Sequence, residues 1–408
     1  MIRFLKLMLV IICLICSTAW AGDTLHIHCL DVGQGDATLI VSPTGQTMLV
    51  DAGYNGKGED EVLPFLSNLN MTSLDYIVAT HYHADHIGGI DEVMYGLSID
   101  SIGVVYDRGW SYTTNTYYDY ADAVASKRVA IEDSQVIDLG GGVQITCVAV
   151  NGNGVLDNPF TDPPHSENDL CVALKVEYQG FDFFVAGDLS GRTNGSYTDI
   201  ETSVAPEVGR VEVLRVDHHG SNNNTNQCFL DSLRPQVAVI SVGDNSYGHP
   251  HPEVIERLEA VPSIIYQTED GDGNVVDGDI TIKVCSDSFW VNGDGYATSV
   301  GVEEDEQTGV IPKGFELKQN YPNPFNSSTT IRCHLSAVSG QLSAVSLKIF
   351  NILGQEVRTL VDKKQSAGYC QVLWNGRDNS GEDICSGIYF YRLRAGDFVQ
   401  TRKMVLIR

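Results

Sequence analysis

Up to about residue 298 the chain is a succession of short apolar runs separated by glycine-rich turns, the pattern of a domain dominated by sheet. Residues 24–29 alternate apolar and polar side chains, the two-residue period of a half-buried strand. Residues 38–41 and 47–50 are two further strand-like runs on either side of the turn Pro43-Thr44-Gly45. Tyr76-Ile77-Val78-Ala79 is apolar throughout, as expected of a strand covered on both faces. The same reading predicts strands over 136–139, 143–150, 170–178, 181–186, 211–216, 237–242, 264–267, 280–284 and 289–291. Helices are predicted over 59–69, 90–95 and 253–258. Residues 107–122, rich in Tyr, Asp and Thr, are predicted as an irregular loop. Asp270-Gly271-Asp272-Gly273-Asn274 has the spacing of the start of a calcium loop, but strand-like segments flank it, so a hairpin turn is predicted.

The candidate chemistry sits at the ends of these strands. The run 76–79 leads into His81-Tyr82-His83-Ala84-Asp85-His86 and then Gly88-Gly89. The run 47–50 ends in Asp51-Ala52-Gly53, and 181–186 ends in Gly187-Asp188. The run 211–216 ends in Asp217-His218-His219-Gly220-Ser221. After 237–242 come Asn245-Ser246-Tyr247-Gly248-His249-Pro250-His251. The whole chain has 11 His, so three within six residues is a concentration that an ordinary polar loop does not explain. Neutral imidazole and carboxylate suit zinc and similar divalent ions. Asp51, at a neighbouring strand end, is placed to support a ligating imidazole from behind. In Leu30-Asp31-Val32-Gly33-Gln34-Gly35-Asp36 the glycines permit a tight turn with close backbone approach.

Composition narrows the picture. Hydrophobic content of 43% and charged content of 19% are those of a folded protein, and the length allows two or three domains. The formal net charge of -27 counts against tight duplex DNA binding, which wants a basic face. It does not count against cleaving a phosphodiester, because bound metal ions bring their own positive charge. Arg3 and Lys6, an apolar segment over 7–16 and Ala19-Trp20-Ala21 read as an export signal peptide over residues 1–21. The apolar segment is short of the roughly 20 residues that span a bilayer, and no transmembrane segment is expected in the mature chain. Removal of that segment leaves Cys29, Cys147, Cys171, Cys228, Cys285, Cys333, Cys370 and Cys385, with no CxxC pair and no readable connectivity.

The strand-end motifs resemble those of the metallo-β-lactamase superfamily of hydrolases, with His81-x-His83-x-Asp85-His86 as the central signature. Asp31-Val32-Gly33-Gln34-Gly35-Asp36, Asp217-His218-His219-Gly220-Ser221 and Asn245–Pro250 are similar to the hydrolase domain of ComEC-type competence proteins, a likeness over about residues 24–293. The resemblance implies an α/β four-layer αβ/βα sandwich over 24–298. It also implies two divalent metal ions, zinc or else manganese. His81 and His83 would hold one ion, Asp85 and His86 the other. Asp188 would bridge them, and His218 or His219 would complete the second site. The superfamily's third histidine for the first ion has no clear counterpart; His165 is a further candidate, as Asp51 is for a supporting role, and Asn168-Asp169 stands in that region. Asp85 is the candidate to orient the attacking water and His249 to donate to the leaving group, with His251 a weaker one.

Residues 299–314 read as a linker, with Glu303-Glu304-Asp305-Glu306. Beyond it, strands are predicted over 329–335, 345–349, 356–360, 371–374, 387–393 and 403–407, so 315–408 should form a small all-β, Ig-like sandwich. Tyr321-Pro322-Asn323-Pro324-Phe325-Asn326, Ile349–Gly354, Trp374-Asn375-Gly376 and Ser386-Gly387-Ile388-Tyr389 resemble the C-terminal sorting domains of the type IX secretion system and FlgD Ig-like modules. That likeness implies secretion or display at the cell surface, with the type IX machinery as partner. The functional expectation is a secreted metal-dependent hydrolase whose ions ionise the attacking water, with a phosphodiester as substrate. The alternatives are hydrolysis of a lactone, thioester or β-lactam, and a non-catalytic surface binding protein that keeps the fold.

Overall fold

A computed structural model describes residues 23–156, 166–195 and 197–298, and in the C-terminal unit 315–320, 323, 325, 329–335, 343–365, 368–380, 384–396 and 398–407. The signal peptide expected at 1–21, the linker at 299–314, most of Tyr321–Asn326 and His165 lie outside the described residues.

Two sheets carry the N-terminal unit. The first has nine strands in the order Asp294–Ala297, Ser288–Val291, Ile280–Cys285, Leu25–Cys29, Thr38–Val41, Thr47–Val50, Leu74–Val78, Ile102–Asp107 and Arg128–Ala130. The second has seven, in the order Ile264–Gln267, Val237–Ile240, Val213–Arg215, Phe181–Val185, Ala173–Tyr178, Val143–Ala149 and Val136–Gly140. One face of each sheet packs on the other, burying Ile27, Val50, Val78, Ile145, Phe183, Val213 and Ile282 together. The outer face of the first sheet is covered by the helices Leu63–Asn68, Ile90–Leu97 and Asn115–Val124, through Leu66, Val93, Tyr120 and Val124. The outer face of the second is covered by Glu201–Val208, Gln227–Leu233 and Pro252–Ala260, through Val204, Leu230 and Leu258. The architecture is the four-layer αβ/βα sandwich expected from the sequence. Strands buried on both faces explain why runs such as Thr38–Val41 and Val237–Ile240 are buried at every position and do not alternate.

One expectation is overturned. Residues 107–122 are not an irregular loop throughout: Asn115–Val124 is a helix, capped by Thr114 Oγ1 accepting from Tyr117 N at 3.2 Å. Tyr117, Tyr120, Ala123 and Val124 recur at helical spacing and are its buried stripe. The polar composition around them masks that period. Two short helices, Glu201–Val208 and Gln227–Leu233, are not among the predicted elements. The hairpin reading of 270–274 holds: Asp270 Oδ1 accepts from Asp272 N and Asn274 N, each at 3.0 Å, and Glu269 pairs with Val275.

The C-terminal unit has strands and no helix among its described residues, a three-stranded sheet and a four-stranded sheet around Ile331, Leu347, Ile349, Trp374, Tyr391 and Met404. Trp374 Nε1 donates to Arg377 O at 2.9 Å, satisfying the polar atom of a buried indole. Cys333 is disulfide-bonded, whereas Cys29, Cys147 and Cys171 are free and buried. No helix among the described residues is long and apolar enough to cross a membrane.

Candidate metal centre

The site forms where strands from both sheets end at one edge. Thr47–Val50, Leu74–Val78 and Ile102–Asp107 run parallel, as do Phe181–Val185, Val213–Arg215 and Val237–Ile240. Their carboxyl ends therefore share an edge, the usual location of a site in such sheets. Backbone hydrogen bonds lock the loops there. Asp36 N donates to Asp85 O at 3.0 Å, Ala52 N to His86 O at 2.8 Å and Gly53 N to Asp36 O at 2.8 Å. The two sheets are joined by Val172 N donating to Thr80 O at 2.8 Å.

Four imidazoles are oriented from behind, and this fixes which nitrogen faces the centre. His86 Nδ1 lies 2.8 Å from Asp51 Oδ2, which only accepts, so Nδ1 carries the proton. His219 Nδ1 lies 2.9 Å from Ser241 O, again an acceptor. Thr80 Oγ1 donates to Asp51 Oδ2 at 2.6 Å and is left to accept from His81 Nδ1 at 3.1 Å. Asn224 Nδ2 donates to the carbonyls of Asp188 and Leu189, so its Oδ1 faces His218 Nδ1 at 3.0 Å and accepts from it. With every Nδ1 proton used, each Nε2 presents a lone pair. These lone pairs converge on Asp188. His86 Nε2 is 3.1 Å and His219 Nε2 3.8 Å from Oδ1; His81 Nε2 is 3.6 Å and His218 Nε2 3.4 Å from Oδ2.

The turn at His218-His219 makes this convergence feasible. Both residues are left-handed, with φ of 51° and 53°, a conformation non-glycine residues rarely adopt. It turns two consecutive imidazoles toward one carboxylate, where an extended strand would point them to opposite faces. The turn is held by His218 N donating to Gly187 O at 2.9 Å. Beneath it are two buried carboxyls. Burial and then the neighbouring Glu201 hold Asp217 well above the usual carboxylate range. Burial pushes Glu201 up to about 7 against the pull of the Asn226 and Thr225 backbone N–H groups.

Imidazoles and carboxylates packed this closely shift one another strongly. Burial and then His86 push His81 down to about 3. Burial would lower His86, but Asp188, Asp51 and Asp85 together hold it well above its ordinary value. Burial would raise Asp188, but His218, His86 and His81 hold it well below. Asp85 is lowered in the same way, burial being outweighed by His86 and His219. His86 Nε2 and Asp188 Oδ1 are both buried without a hydrogen-bond partner. A buried imidazole nitrogen and a buried carboxylate oxygen facing each other at 3.1 Å, in a field that favours positive charge on the ring, are the donor set of a cation site. Ligating atoms within 4.8 Å of one another form three groups: His81, His83 and Asp188; Asp85, His86 and His219; and Asp36, Asp51 and His86, the last occupied by the His86 Nδ1 proton. The residues present therefore fit two divalent ions.

The structure thus brings His81, His83, Asp85, His86, Asp188, His218 and His219 together, with Asp51 behind His86 and Thr80. It separates the adjacent pair that the sequence left open: His219 joins Asp85 and His86, while His218 faces the Asp188 oxygen that His81 also faces. His165 lies outside the described residues; Asn168 is placed at the centre, with Nδ2 3.3 Å from Asp188 Oδ2. The His249 ring lies 5.3 Å from that of His218, and the His251 ring is one step further out, 5.2 Å from His249. Burial, then His218 and His219, push His249 down to about 3, which keeps it a neutral imidazole.

Sequence reading missed several supporting residues. Asp36 pairs with the buried Arg215 and lies 3.3 Å from His219 Nδ1; its signal was its place in the motif Asp31–Asp36. Glu167 and Arg108 form a buried ion pair, and Glu167 also accepts from the backbone between the first two ligands. No local signal marked these two.

Comparison with known proteins agrees with this geometry. Residues 30–244 match the Metallo-beta-lactamase superfamily model, and residues 326–397 match the FlgD Ig-like domain. The chain is 27% identical over 251 residues to ComE operon protein 3 of Bacillus subtilis, covering 57% of this chain and 30% of that protein. It is 27% identical over 254 residues to Recombination protein 2 of Haemophilus influenzae, covering 61% of this chain and 28% of that protein. The chain thus spans less than a third of the length of these relatives. Among solved structures, a diphosphatase from the PhnP family aligns at 15% identity with a TM-score of 0.37, covering 64% of this chain and 97% of that one. Zn(2+)-bound PqqB from Methylobacterium extorquens aligns at 12% identity with a TM-score of 0.34, covering 62% and 99%. The first of the two family matches takes in more than half of the 408 residues, and the chain belongs to the metallo-beta-lactamase superfamily, a family of hydrolases.

Proposed function

We propose that this protein is an exported, two-metal phosphodiesterase. The observation that carries the reading is the convergence of four Nε2 lone pairs on the two oxygens of Asp188. His81, His83 and His218 would hold one ion through the Oδ2 side of Asp188. Asp85, His86 and His219 would hold the other through the Oδ1 side. On this assignment His218 would supply the third imidazole for the first ion, and Asn168, which donates to Asp188 Oδ2, would steady that carboxylate. Zinc suits this nitrogen-rich set, with manganese the next candidate. When bound, the pair supplies Lewis acidity and lowers the pKa of water, so a separate strong base is not required.

The protein's own residues do the positioning. Asp51 and Thr80 keep His81 and His86 in the tautomer that points Nε2 inward. Asp85 would accept a hydrogen bond from the attacking water, a role its lowered pKa supports. His249 would hydrogen-bond a phosphoryl or leaving-group oxygen, a reading supported by its neutral ring beside His218. A phosphodiester is favoured over a lactone, thioester or β-lactam by the ComEC-type motifs at Asp31–Asp36 and Asn245–Pro250. Export is supported by the amino-terminal charge and apolar pattern, and passage through a type IX machinery by the C-terminal motifs.

The test is turnover of bis-p-nitrophenyl phosphate and single-stranded DNA by the full mature chain with zinc or manganese added. Cleavage that is lost with chelator and restored by metal is expected. Lactone turnover without phosphodiester cleavage would overturn the substrate class. A protein purified without metal and showing no metal uptake would overturn the metal centre. Sequencing the amino terminus of protein recovered from the medium or cell surface, expected to begin after Ala21, tests export.

A further inference from the structure

We propose that the metal centre is flanked by aromatic platforms that stack the two nucleobases on either side of the scissile phosphodiester, Tyr112 on one side and Tyr54 with Tyr247 on the other. The inference rests on the phosphodiesterase reading above and specifies its substrate as a short, base-bearing phosphodiester.

Beyond the first ligand group, the half-buried Tyr112 ring lies 6.2 Å from the His83 ring. Beyond the second, Tyr247 stacks on His249 with centroids 5.6 Å apart and planes 29° apart, and His249 in turn lies 6.3 Å from His219. Tyr247 is nevertheless 64% exposed, so its outer face is open to a ligand. Tyr54 is 37% exposed. Its backbone lies against the metal loop, the carbonyl carbon 2.7 Å from where a Cβ on Gly88 would stand. The arrangement is therefore ring, metal ligands, ring, the order of base, phosphate, base along a strand.

Tyr54 also forms one wall of a cleft of about 500 Å³, together with Gln34, Lys57, Asp244, Glu269 and Asp272. A cleft with three carboxylates and one ammonium repels a phosphate but suits a base with an exocyclic amine, which a carboxylate can accept from. The net charge of -27 points the same way. Long polyanions gain most of their affinity from backbone contacts to Lys and Arg, which this protein is poorly supplied with. Stacking is the term that survives on an acidic surface, because every base has a π-face.

The test compares a dinucleoside monophosphate of deoxycytidine with the base-free methyl p-nitrophenyl phosphate. Tyr112→Ala and Tyr247→Ala are each expected to raise KM for the dinucleotide roughly 5- to 100-fold, the range for losing one base–aromatic stack. The loss on the base-free ester should be at least fivefold smaller, and Tyr247→Phe should restore the dinucleotide KM. Tyr95→Ala, an exposed tyrosine on the helix Ile90–Leu97, is the control and should change neither substrate. Equal losses on both substrates, or no change on the dinucleotide, would overturn the proposal. A second readout is quenching of a 2-aminopurine phosphorothioate dinucleotide on binding. Quenching without cleavage of any phosphodiester would sink the phosphodiesterase reading and leave stacking standing. Cleavage of both substrates without quenching would do the reverse.

Discussion

The Oε1 atom of Glu167 accepts a hydrogen bond from the backbone N–H of Tyr82 at 2.9 Å, between the two leading histidines of the metal loop. Arg108 clamps the same carboxylate with both forks, at 2.8 and 2.7 Å, and lies 4.1 Å over the Tyr82 ring. The pair is almost wholly buried, with side-chain exposures of 2% and 4%. It ties the His81-Tyr82-His83 backbone to the other sheet across 85 residues of sequence.

Glu167→Ala should therefore destabilise the protein by about 3–5 kcal/mol, because it strands a buried guanidinium. Replacing both partners, Arg108→Met with Glu167→Leu, should recover much of that loss. Urea unfolding of the metal-free protein measures both. A loss below about 1 kcal/mol, or a double variant no better than the single one, would contradict a buried and dry pair.

Asp51→Asn should weaken metal binding by roughly 10- to 100-fold, the usual effect of removing an acceptor behind a ligating histidine. The amide keeps the shape but accepts with one oxygen where the carboxylate serves Thr80 N, Thr80 Oγ1 and His86 Nδ1. Competition against a chromogenic chelator reads the affinity directly; an unchanged constant would remove Asp51 from the supporting set.

Gly35 has φ of +150°, and a Cβ there would lie 2.7 Å from Asp85 O. That carbonyl is already held by Asp36 N at 3.0 Å, so it cannot move away without shifting the metal loop. Gly35→Ala should cost about 1–3 kcal/mol from overpacking alone and lower metal affinity as well. Gly45→Ala, which meets nothing within 4 Å, carries only the left-handed backbone penalty and should leave metal affinity intact. Similar metal constants for the two variants would show that the loop tolerates the displacement.

Acid sensitivity has a source remote from the metal centre. His28 is buried on the first strand, with Nδ1 3.0 Å from Thr281 Oγ1. Burial, then His26 and Lys283, lower its pKa from 6.5 to about 4. Between those values the unfolded chain binds a proton that the folded chain refuses. Stability therefore falls as pH drops from 6.5 toward 4, by up to about 3 kcal/mol for this residue. His28→Gln should flatten that part of the pH–stability curve, measured by unfolding at about pH 7 and about pH 4.5. An unchanged slope would place the acid sensitivity elsewhere.

The layers of the fold were legible because strands covered on both faces must be continuously apolar, as Thr38–Val41 and Val237–Ile240 are. The helix Asn115–Val124 was not, because only four of its ten residues are buried and the exposed ones are Tyr, Asp and Asn, which also compose loops. The ligand types at the centre were legible because His81, His83, Asp85 and His86 sit within one short segment.

What the sequence determined by itself is thus the chemistry of the donors and the strand ends that deliver them. Side-chain type and local period are properties of adjacent residues, and a buried strand needs little else to be recognised. Tertiary structure decided which atom of each donor faces the centre. The proton on His219 Nδ1 is placed by Ser241, 22 residues away, and that on His86 Nδ1 by Asp51, 35 residues away. The division of His218 from His219 between the two oxygens of Asp188 likewise depends on a left-handed turn held by Gly187 and Asn224. A tautomer is set by the hydrogen bond on the far side of the ring, and that partner is contributed by whichever strand the fold brings there.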